Sequence, residues 1–237
     1  MKLNLKKWSI EDGKQFYDYL ESLKREDKIV WSTSILQTKK PVLALKTETI
    51  KTIVKEINSG NVKSFMDLRL FDYYESVTIY GSLLTKMQSF KELSAYLDIY
   101  LDAMDSWAHV DILSFSIFDA YIDEFLQKSK LFIIDPRPYV RRLAVFILFL
   151  LCKDKSRLHY ILNELQKLNH EESYYVIMMS GWLLSELIIL YRDETLALLS
   201  RHAINPKIVN KGIQKCRESR RLTQPEKDAL LVYKIKR

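Results

Sequence analysis

Residues 47–60, TETIKTIVKEINSG, form one complete helical pattern, and this pattern decides the fold class of the chain. Its apolar side chains repeat with the i, i+3, i+4, i+7 spacing of an amphipathic α-helix: Ile50, Ile53, Val54 and Ile57. The helix is predicted to end at Asn58-Ser59, with Gly60 as the left-handed residue that often follows a helix. The pattern therefore predicts an α-helix rather than a strand.

Similar helix signals recur along the whole chain. Ser9 is a predicted N-cap for a helix that runs to about Leu23, and the apolar run 93–104 indicates another helix. Further helix starts are marked by capping residues or by a proline in the first turn: Asp105-Ser106, Asp135-Pro136 with Pro138, Asn205-Pro206 and Thr223-Gln-Pro225. We therefore predict about ten to twelve helices joined by short polar turns.

Glycine and proline are scarce, with five of each in 237 residues. Because sandwiches and barrels need turn residues at roughly every 8–12 positions, both are excluded. The five glycines also form neither a GxGxxG nor a GxxxxGK[ST] motif, which excludes Rossmann dinucleotide binding and P-loop nucleotide hydrolysis. The predicted class is all-α.

The predicted helices recur in pairs of roughly 35–45 residues without an obvious sequence repeat. Weakly self-similar pairs of this size are typical of an α-solenoid of HEAT-like repeats, with an irregular helical bundle as the alternative. Because Pro, Gly and Ser never cluster into a linker, residues 1–237 are predicted to form one domain. Within it, residues 24–46 are predicted to be irregular or inserted, and their segment 29–36, IVWSTSIL, is compatible with an extended strand.

Composition and motifs exclude other classes of protein. The hydrophobic content of 48% argues against a disordered chain. The longest uncharged run, Ser173–Ser185, has thirteen residues, fewer than the roughly 18 of a membrane span. Cys152 and Cys216 lie far apart, which predicts reduced thiols and, with no signal-peptide pattern, a cytoplasmic protein. The four histidines form no HExxH or related motif, so we predict no metal, and the absence of GxSxG excludes a nucleophile elbow.

The formal net charge of +7 is unevenly distributed along the chain. Residues 201–237 carry eleven Lys and Arg against three Asp and Glu, residues 1–40 carry nine against six, and the middle is mildly acidic. Basic ends of this kind predict an electrostatic footprint for a polyanion such as nucleic acid. A solvated basic tail without a partner is the alternative.

Three local groups contain residue types suited to chemistry or to DNA binding. In the first, SWAHVD at 106–111, Trp107 and Asp111 are four residues apart and share one helix face. The second is RPYVRR at 137–142, just before an apolar run, and the third is GWLLSE at 181–186, inside an apolar helix. Taken singly, each has a structural explanation: core tryptophans, an acid at a helix start and a solvated basic face.

Taken together, in this order and at these distances, the three groups resemble the AlkD family of DNA alkylation repair glycosylases, which are built from HEAT-like helical repeats. The matching segments are Ser106-Trp107 with Asp111, Arg142 with the apolar residues LAVFIL after it, Gly181 to Glu186 and, more weakly, Asn210 to Lys215. The resemblance covers roughly residues 45–222.

The resemblance implies an activity, a site and a partner. Members of this family hydrolyse the N-glycosidic bond of N3- or N7-alkylated purines in duplex DNA without flipping the base into a deep pocket. By position, Asp111 corresponds to the catalytic carboxylate and Arg142 to a phosphate contact. Trp107 and Trp182 correspond to aromatics that lie against the sugar and backbone of the damaged nucleotide. Further predicted DNA contacts are Arg141, Lys211 and Lys215. The implied protein is a monomer without a cofactor, nucleoid-associated when bound to DNA.

The chemistry of this reaction agrees with these residue types. Breaking the glycosidic bond of a cationic purine leaves an oxocarbenium-like sugar, and a fixed carboxylate beside it stabilises the transition state more than the ground state. Tryptophan faces attract cations by about 0.5–2 kcal/mol each, and the arginine fork fits a phosphate. Water is the final nucleophile, and Asp111 is suited to orient it.

Some positions depart from the family pattern. Ser185 stands where the family usually has an arginine, and Met178-Met179 where it has a lysine, so positive charge near the expected DNA face is missing. The N-terminal 45 residues fit poorly, and three aromatics there are candidates for the family's damage-probing residue: Tyr17, Tyr19 and Trp31. Two alternatives therefore stand beside the glycosylase: a non-catalytic binder of branched DNA on the same scaffold, and a HEAT-type protein scaffold whose tryptophans are core residues.

Overall fold

The computed structural model describes residues 1–235 and shows an all-helical protein. Fourteen α-helices and no strands occur among those residues, so the all-α prediction is confirmed. Three of the helices have only five or six residues. Helices of this length are too short to show the apolar periodicity from which ten to twelve helices were predicted. The chain divides into two compact units, Met1–Tyr121 and the part from Ile122 onward. The single domain predicted for residues 1–237 stays a prediction.

The first unit is built around one nearly wholly buried helix. Its seven α-helices are α1 (Ile10–Ser22), α2 (Ile29–Leu36), α3 (Thr47–Asn58), α4 (Val62–Met66), α5 (Tyr74–Leu84), α6 (Phe90–Ala103) and α7 (Trp107–Asp111). Ten of the eleven residues of α5 are buried, which makes it the core helix of the unit. The rings of Trp8, Phe16 and Phe65 pack edge to face with centroids 4.9–5.9 Å apart. Edge-to-face packing of this kind adds to the area that aromatic rings bury.

Residues 24–46, predicted as irregular or inserted, contain a helix. The segment IVWSTSIL is α2 and not a strand, so the extended alternative is wrong. A short apolar run does not by itself distinguish strand from helix, and here Gln37, with φ 53°, ends the helix in the left-handed conformation. The rest of the segment is anchored by the buried carboxylate of Glu75, which accepts the N–H groups of Leu43 and Leu45 at 3.0–3.3 Å.

Gly60 is required for a close approach and not for a left-handed turn. None of the described glycines has a positive φ, so the predicted left-handed residue after α3 is wrong. The last residue of that turn is Ser59, with φ −86°. A Cβ at Gly60 would lie 2.7 Å from the carbonyl carbon of Asn4 and from the carbonyl oxygen of Leu5. The N-terminal segment at Asn4 and Leu5 therefore crosses directly over Gly60, where only a hydrogen fits.

The second unit is organised around the long apolar helix α11. Its seven α-helices are α8 (Ile122–Phe132), α9 (Pro138–Leu150), α10 (Leu158–Gln166), α11 (Tyr174–Leu190), α12 (Arg192–Ser200), α13 (Pro206–Glu218) and α14 (Gln224–Ala229). A Cβ at Gly181 of α11 would lie 2.8 Å from the Cβ of Lys211, and one at Gly212 of α13 would lie 2.9 Å from the Cδ2 of Leu184. The two glycines thus let α11 and α13 pack closely.

Local capping signals place several helix starts where the sequence predicts them. Ser9 caps α1 in a reciprocal capping box with Asp12, and Asn205 caps α13 with Pro206 in its first turn. Pro138 is the first residue of α9. None of the helices within residues 1–235 combines the length and hydropathy that crossing a membrane requires. In the same residues, His, Cys, Asp and Glu nowhere gather in a group of three that could hold a metal ion.

Candidate functional site

The predicted catalytic pair lies on α7 in the first unit. Ser106 is the N-cap, and its hydroxyl accepts the N–H of Ala108 at 3.3 Å. Because α7 spans Trp107–Asp111, these two residues are one helical turn apart on the same face. Both side chains are partly exposed. The helix therefore presents an aromatic ring and a carboxylate side by side to solvent.

The C-terminal end of α2 fixes the start of α7. The indole N–H of Trp107 donates to the carbonyl of Ile35 at 3.0 Å, and the buried Ser106 hydroxyl donates to the carbonyl of Leu36 at 2.6 Å. The last carbonyls of a helix have no partner within it, so side-chain donors from elsewhere satisfy them. Here each segment completes the other: α7 caps the end of α2, and α2 fixes the orientation of the Trp107 ring.

Asp105, just before α7, makes a second connection to the segment after α2. Its carboxylate oxygens lie 2.7 and 2.8 Å from the Thr38 hydroxyl, and one of them accepts the N–H of Lys39 at 2.9 Å. A carboxylate that accepts several hydrogen bonds is held in one rotamer. Residues 35–39 and 105–107 are therefore connected by hydrogen bonds on both sides of the α7 start.

His109 is a buried residue of α7 and is not a candidate general acid or general base. Its ring stacks on Tyr74 with centroids 4.6 Å apart, and its Nε2 lies 3.2 Å from the Tyr74 carbonyl. The N–H of Asp105 donates to Nδ1 at 3.4 Å, which fits a neutral ring protonated on Nε2. Burial lowers the pKa of His109 to about 4, although the nearby Asp105 carboxylate opposes that shift. The ring is thus neutral at pH 7.

Helix α2 exposes three large apolar side chains, Val30, Trp31 and Ile35. Val30 is 85% exposed and Trp31 is 66% exposed, and the helix contains no buried residue. Its inner side packs against the Val42, Ala44 and Tyr74 cluster through Ile29 and Leu36. Exposed apolar side chains that lie close together are candidates for a binding surface. Of the three N-terminal aromatics, Trp31 is the one on the helix that contacts Trp107.

In the second unit, the two predicted arginines of α9 differ in their surroundings. Arg141 makes a bidentate pair with Glu171 at 2.6 and 3.0 Å and donates to the carbonyls of Asp135 and Pro136 at 2.7 and 2.9 Å. These bonds use its guanidinium to hold the loop before α9 against Glu171. Arg142 is only 3% exposed, and its Nη1 donates to the Tyr175 carbonyl at 2.6 Å. Both side chains are therefore held in fixed positions by protein groups.

Trp182 lies on α11 at the edge of a groove of about 310 Å³ and is 39% exposed. The Nζ of Lys215 lies 5.7 Å from the centroid of its ring, within cation–π range. Ser185 lines the same groove, and its hydroxyl donates to the Trp182 carbonyl at 2.8 Å. The serine thus returns its one donor to its own helix and supplies no charge where the family usually has an arginine.

The two predicted lysines of α13 occupy neighbouring positions. The stem of Lys211 packs over Gly181, and its Nζ donates to the Gln214 side chain at 2.9 Å. Lys215 pairs with Glu218 at 2.7 Å while lying over the Trp182 ring. The predicted residues thus fall into two groups: Trp107 and Asp111 in the first unit, and the arginines, the lysines and Trp182 in the second.

Sequence reasoning missed the residues that support this site. Asp105 and Thr38 are 67 positions apart, and no local pattern connects them. Glu171, the partner of Arg141, is 30 residues further on, so no local pattern shows this pair either. Only Ser106, which precedes an apolar helical run, carried a recognisable local signal.

The fold and these two groups define an all-helical repeat protein with a tryptophan–carboxylate pair on a short helix and a tryptophan–lysine face on two packed helices. A model of the family described as DNA alkylation repair enzyme matches residues 17–214. Because the match covers most of the chain, the protein belongs to that family, and the predicted resemblance is confirmed. DNA is accordingly its partner. No curated protein matches the sequence.

Proposed function

We propose that this protein is a DNA glycosylase that hydrolyses the N-glycosidic bond of N3- or N7-alkylated purines in duplex DNA. The observation that carries the proposal is the pairing of Trp107 and Asp111 on one face of α7, both partly exposed. The Trp107 ring is held by its hydrogen bond to Ile35. A ring that is fixed beside the carboxylate before substrate binds needs no reorganisation when positive charge develops on the sugar.

In the proposed reaction the bond between C1′ and the purine nitrogen breaks, and its electron pair leaves with the cationic base, which becomes neutral. The sugar is left as an oxocarbenium ion next to the Asp111 carboxylate. Water then bonds to C1′, and its proton passes to Asp111 or to solvent. Trp107, on the same face of α7, lies against the cationic sugar and excludes water from it.

The second candidate is a DNA-binding protein that does not excise bases. It is favoured by Arg142, which is 3% exposed and bonded to Tyr175, and by Ser185 in place of a cation. The third hypothesis, a scaffold with core tryptophans, is disfavoured because Trp182 is 39% exposed. The first two candidates share the duplex as partner and differ only in whether the base is released.

The deciding experiment is base release from duplex DNA that contains 7-methylguanine. We expect the wild-type protein to release the free base, and Asp111→Asn to lower the rate by at least about a hundredfold, as loss of one electrostatic group does elsewhere. Asp18→Asn, which changes an exposed acid of the same unit, is the control and should keep the wild-type rate. Duplex binding without base release, at excess protein, would contradict the glycosylase and favour the DNA-binding protein.

A further inference from the structure

A second groove, of about 970 Å³, lies between α13 and the segment that follows it. That segment consists of α14 and a 3-10 helix, Leu230–Tyr233. The floor is apolar and comes from three helical elements: Ile177, Ile213 and Leu231. The family match ends at residue 214. One wall of the groove is therefore built by a part of the chain that the family model does not cover.

The C-terminal wall is held in place by specific contacts. The side-chain amide of Asn210 donates to the carbonyl of Ile235 at 2.9 Å, and the N–H of Ile235 donates back to its Oδ1 at 3.0 Å. Leu230 is completely buried. A side-chain amide that donates to the carbonyl and accepts the N–H of one residue makes the same two hydrogen bonds as a residue of a neighbouring strand. The groove is thus formed before any ligand arrives.

The groove carries an excess of positive charge. Five cations and two acids line it: Lys207, Lys211, Arg217, Lys227, Lys234, Glu172 and Glu218. Glu172 pairs with Lys207, and Glu218 pairs with Lys215 outside the groove. Arg217, Lys227 and Lys234 have no acidic partner among residues 1–235. Because these three come from both walls, an anion in the groove would meet positive charge from two sides.

Tyr174 adds an aromatic surface at the rim of the groove. It is 60% exposed, and its ring is supported by an edge-to-face contact with Tyr175 at 5.1 Å. Cationic walls that follow a phosphate backbone, with an aromatic ring for a base to stack on, are the features of single-strand binding sites.

We infer that this groove binds a short unpaired strand of DNA. Phosphates would lie along Arg217, Lys227 and Lys234, and a base would stack on Tyr174. A protein of a DNA repair family meets such strands wherever the duplex beside a lesion is open. The strand site is separate from the α7 pair and does not depend on base excision.

The binding test uses the full-length protein and a fluorescein-labelled oligonucleotide of eight thymidines, followed by fluorescence anisotropy at two salt concentrations. We expect salt-dependent binding. The triple variant Arg217→Gln, Lys227→Gln, Lys234→Gln should bind at least tenfold more weakly. The control triple variant Lys130→Gln, Lys153→Gln, Arg201→Gln removes the same charge from exposed cations of the same unit outside the groove. It should retain most of the affinity.

Two further measurements separate the strand from other anions. Tyr174→Ala should weaken binding severalfold while Tyr174→Phe should not, because stacking needs the ring and not the hydroxyl. The oligonucleotide should outcompete thymidine monophosphate and a peptide of eight glutamates. Competition by the monophosphate at equal concentration would indicate a small-phosphate site, and stronger binding of the acidic peptide a protein partner. Either result overturns the inference.

Equal affinities of the groove variant and the control variant would also overturn it. If the groove variant does not fold by circular dichroism, the single variant Arg217→Gln replaces it, with Lys130→Gln as its control. Base release from a blunt duplex is measured on the same preparations and should be unchanged by the groove substitutions. A failed base-release assay with intact strand binding, or the reverse, thus identifies which of the two proposals is wrong.

Discussion

The indole N–H of Trp107 donates to the carbonyl of Ile35, 72 residues earlier in the chain, at 3.0 Å. This bond fixes the ring of the proposed site to the end of α2. Trp107→Phe keeps an aromatic ring but leaves that carbonyl without its donor, so the free energy of unfolding should fall by about 1 kcal/mol. Urea denaturation measures the loss.

The matched control is Trp182→Phe, because the Trp182 indole has no hydrogen bond among the described residues. It should change the unfolding free energy by less than half as much. Equal losses in the two variants would show that the Ile35 bond contributes nothing specific.

His109 predicts a pH dependence of stability. Its pKa is lowered to about 4 in the folded protein, chiefly by burial, from about 6.5 when exposed. The unfolded chain therefore takes up the proton first, and the contribution to stability is complete above pH 6.5 and lost as the pH falls toward 4. The loss should approach about 3 kcal/mol. Urea unfolding at intervals between pH 7 and pH 4.5 measures it.

In this pH series His109→Gln should be less stable than wild type at pH 7 and should show a flatter decline toward acid. His159→Gln, which changes an exposed histidine, should keep the wild-type slope. A wild-type slope in the His109 variant would assign the acid sensitivity to carboxylates elsewhere.

Gly60 should tolerate no side chain. A Cβ there would lie 2.7 Å from the backbone of residues 4 and 5, so Gly60→Ala should lower the unfolding free energy by about 1–3 kcal/mol. Gly13→Ala is the control, because its Cβ would meet only flexible leucine side chains at 3.2 Å and helix propensity favours alanine. Thermal unfolding of both variants distinguishes them.

Gly60→Asn tests the cause of that requirement. Asparagine tolerates the left-handed conformation, so it would be accepted if a turn were the reason for the glycine. The negative φ and the crossing segment predict that asparagine is at least as harmful as alanine. A fully stable Gly60→Asn protein would contradict the close-approach explanation.

Trp31 should contribute to DNA binding without contributing to stability. It is 66% exposed on the helix that contacts Trp107, so Trp31→Ser should change the unfolding free energy by less than about 0.5 kcal/mol. If its ring lies against the nucleic acid, duplex affinity should fall about tenfold, in line with about 1–3 kcal/mol for a stacked base. Anisotropy with a labelled duplex measures the affinity.

The control for Trp31 is Val232→Ser, which removes a side chain that is 80% exposed in the second unit. It should leave the duplex affinity unchanged. Equal affinities for the Trp31 variant and wild type would remove α2 from the DNA-binding surface.

Sequence patterns predicted the elements whose causes are local. Ser9 caps α1 through a residue three positions away, and the apolar stripe of α3 lies within the twelve residues of that helix. The pairing of Trp107 with Asp111 follows from helical spacing alone. In each case the physical reason for the structure lies within the helix itself or at its N-cap.

Other features depend on residues far apart in sequence and were missed for that reason. The last carbonyls of the helix at residues 29–36 accept hydrogen bonds from the side chains of residues 106 and 107. Gly60 was predicted as a turn residue because it follows a helix, whereas the segment that crosses it lies more than fifty residues earlier. The pairing of Arg141 with Glu171, 30 residues further on, was not predicted either, and the DNA contact of Arg141 stays a prediction.

The hydrogen bonds between α2 and α7 also constrain the order in which the chain can fold. An isolated apolar helix of eight residues is unstable in water, and the donors that complete α2 are Ser106 and Trp107. During synthesis the segment IVWSTSIL therefore lacks its hydrogen-bond donors, Ser106 and Trp107, until some seventy more residues have been made. Slow translation before residue 107 would therefore prolong the exposure of this apolar segment.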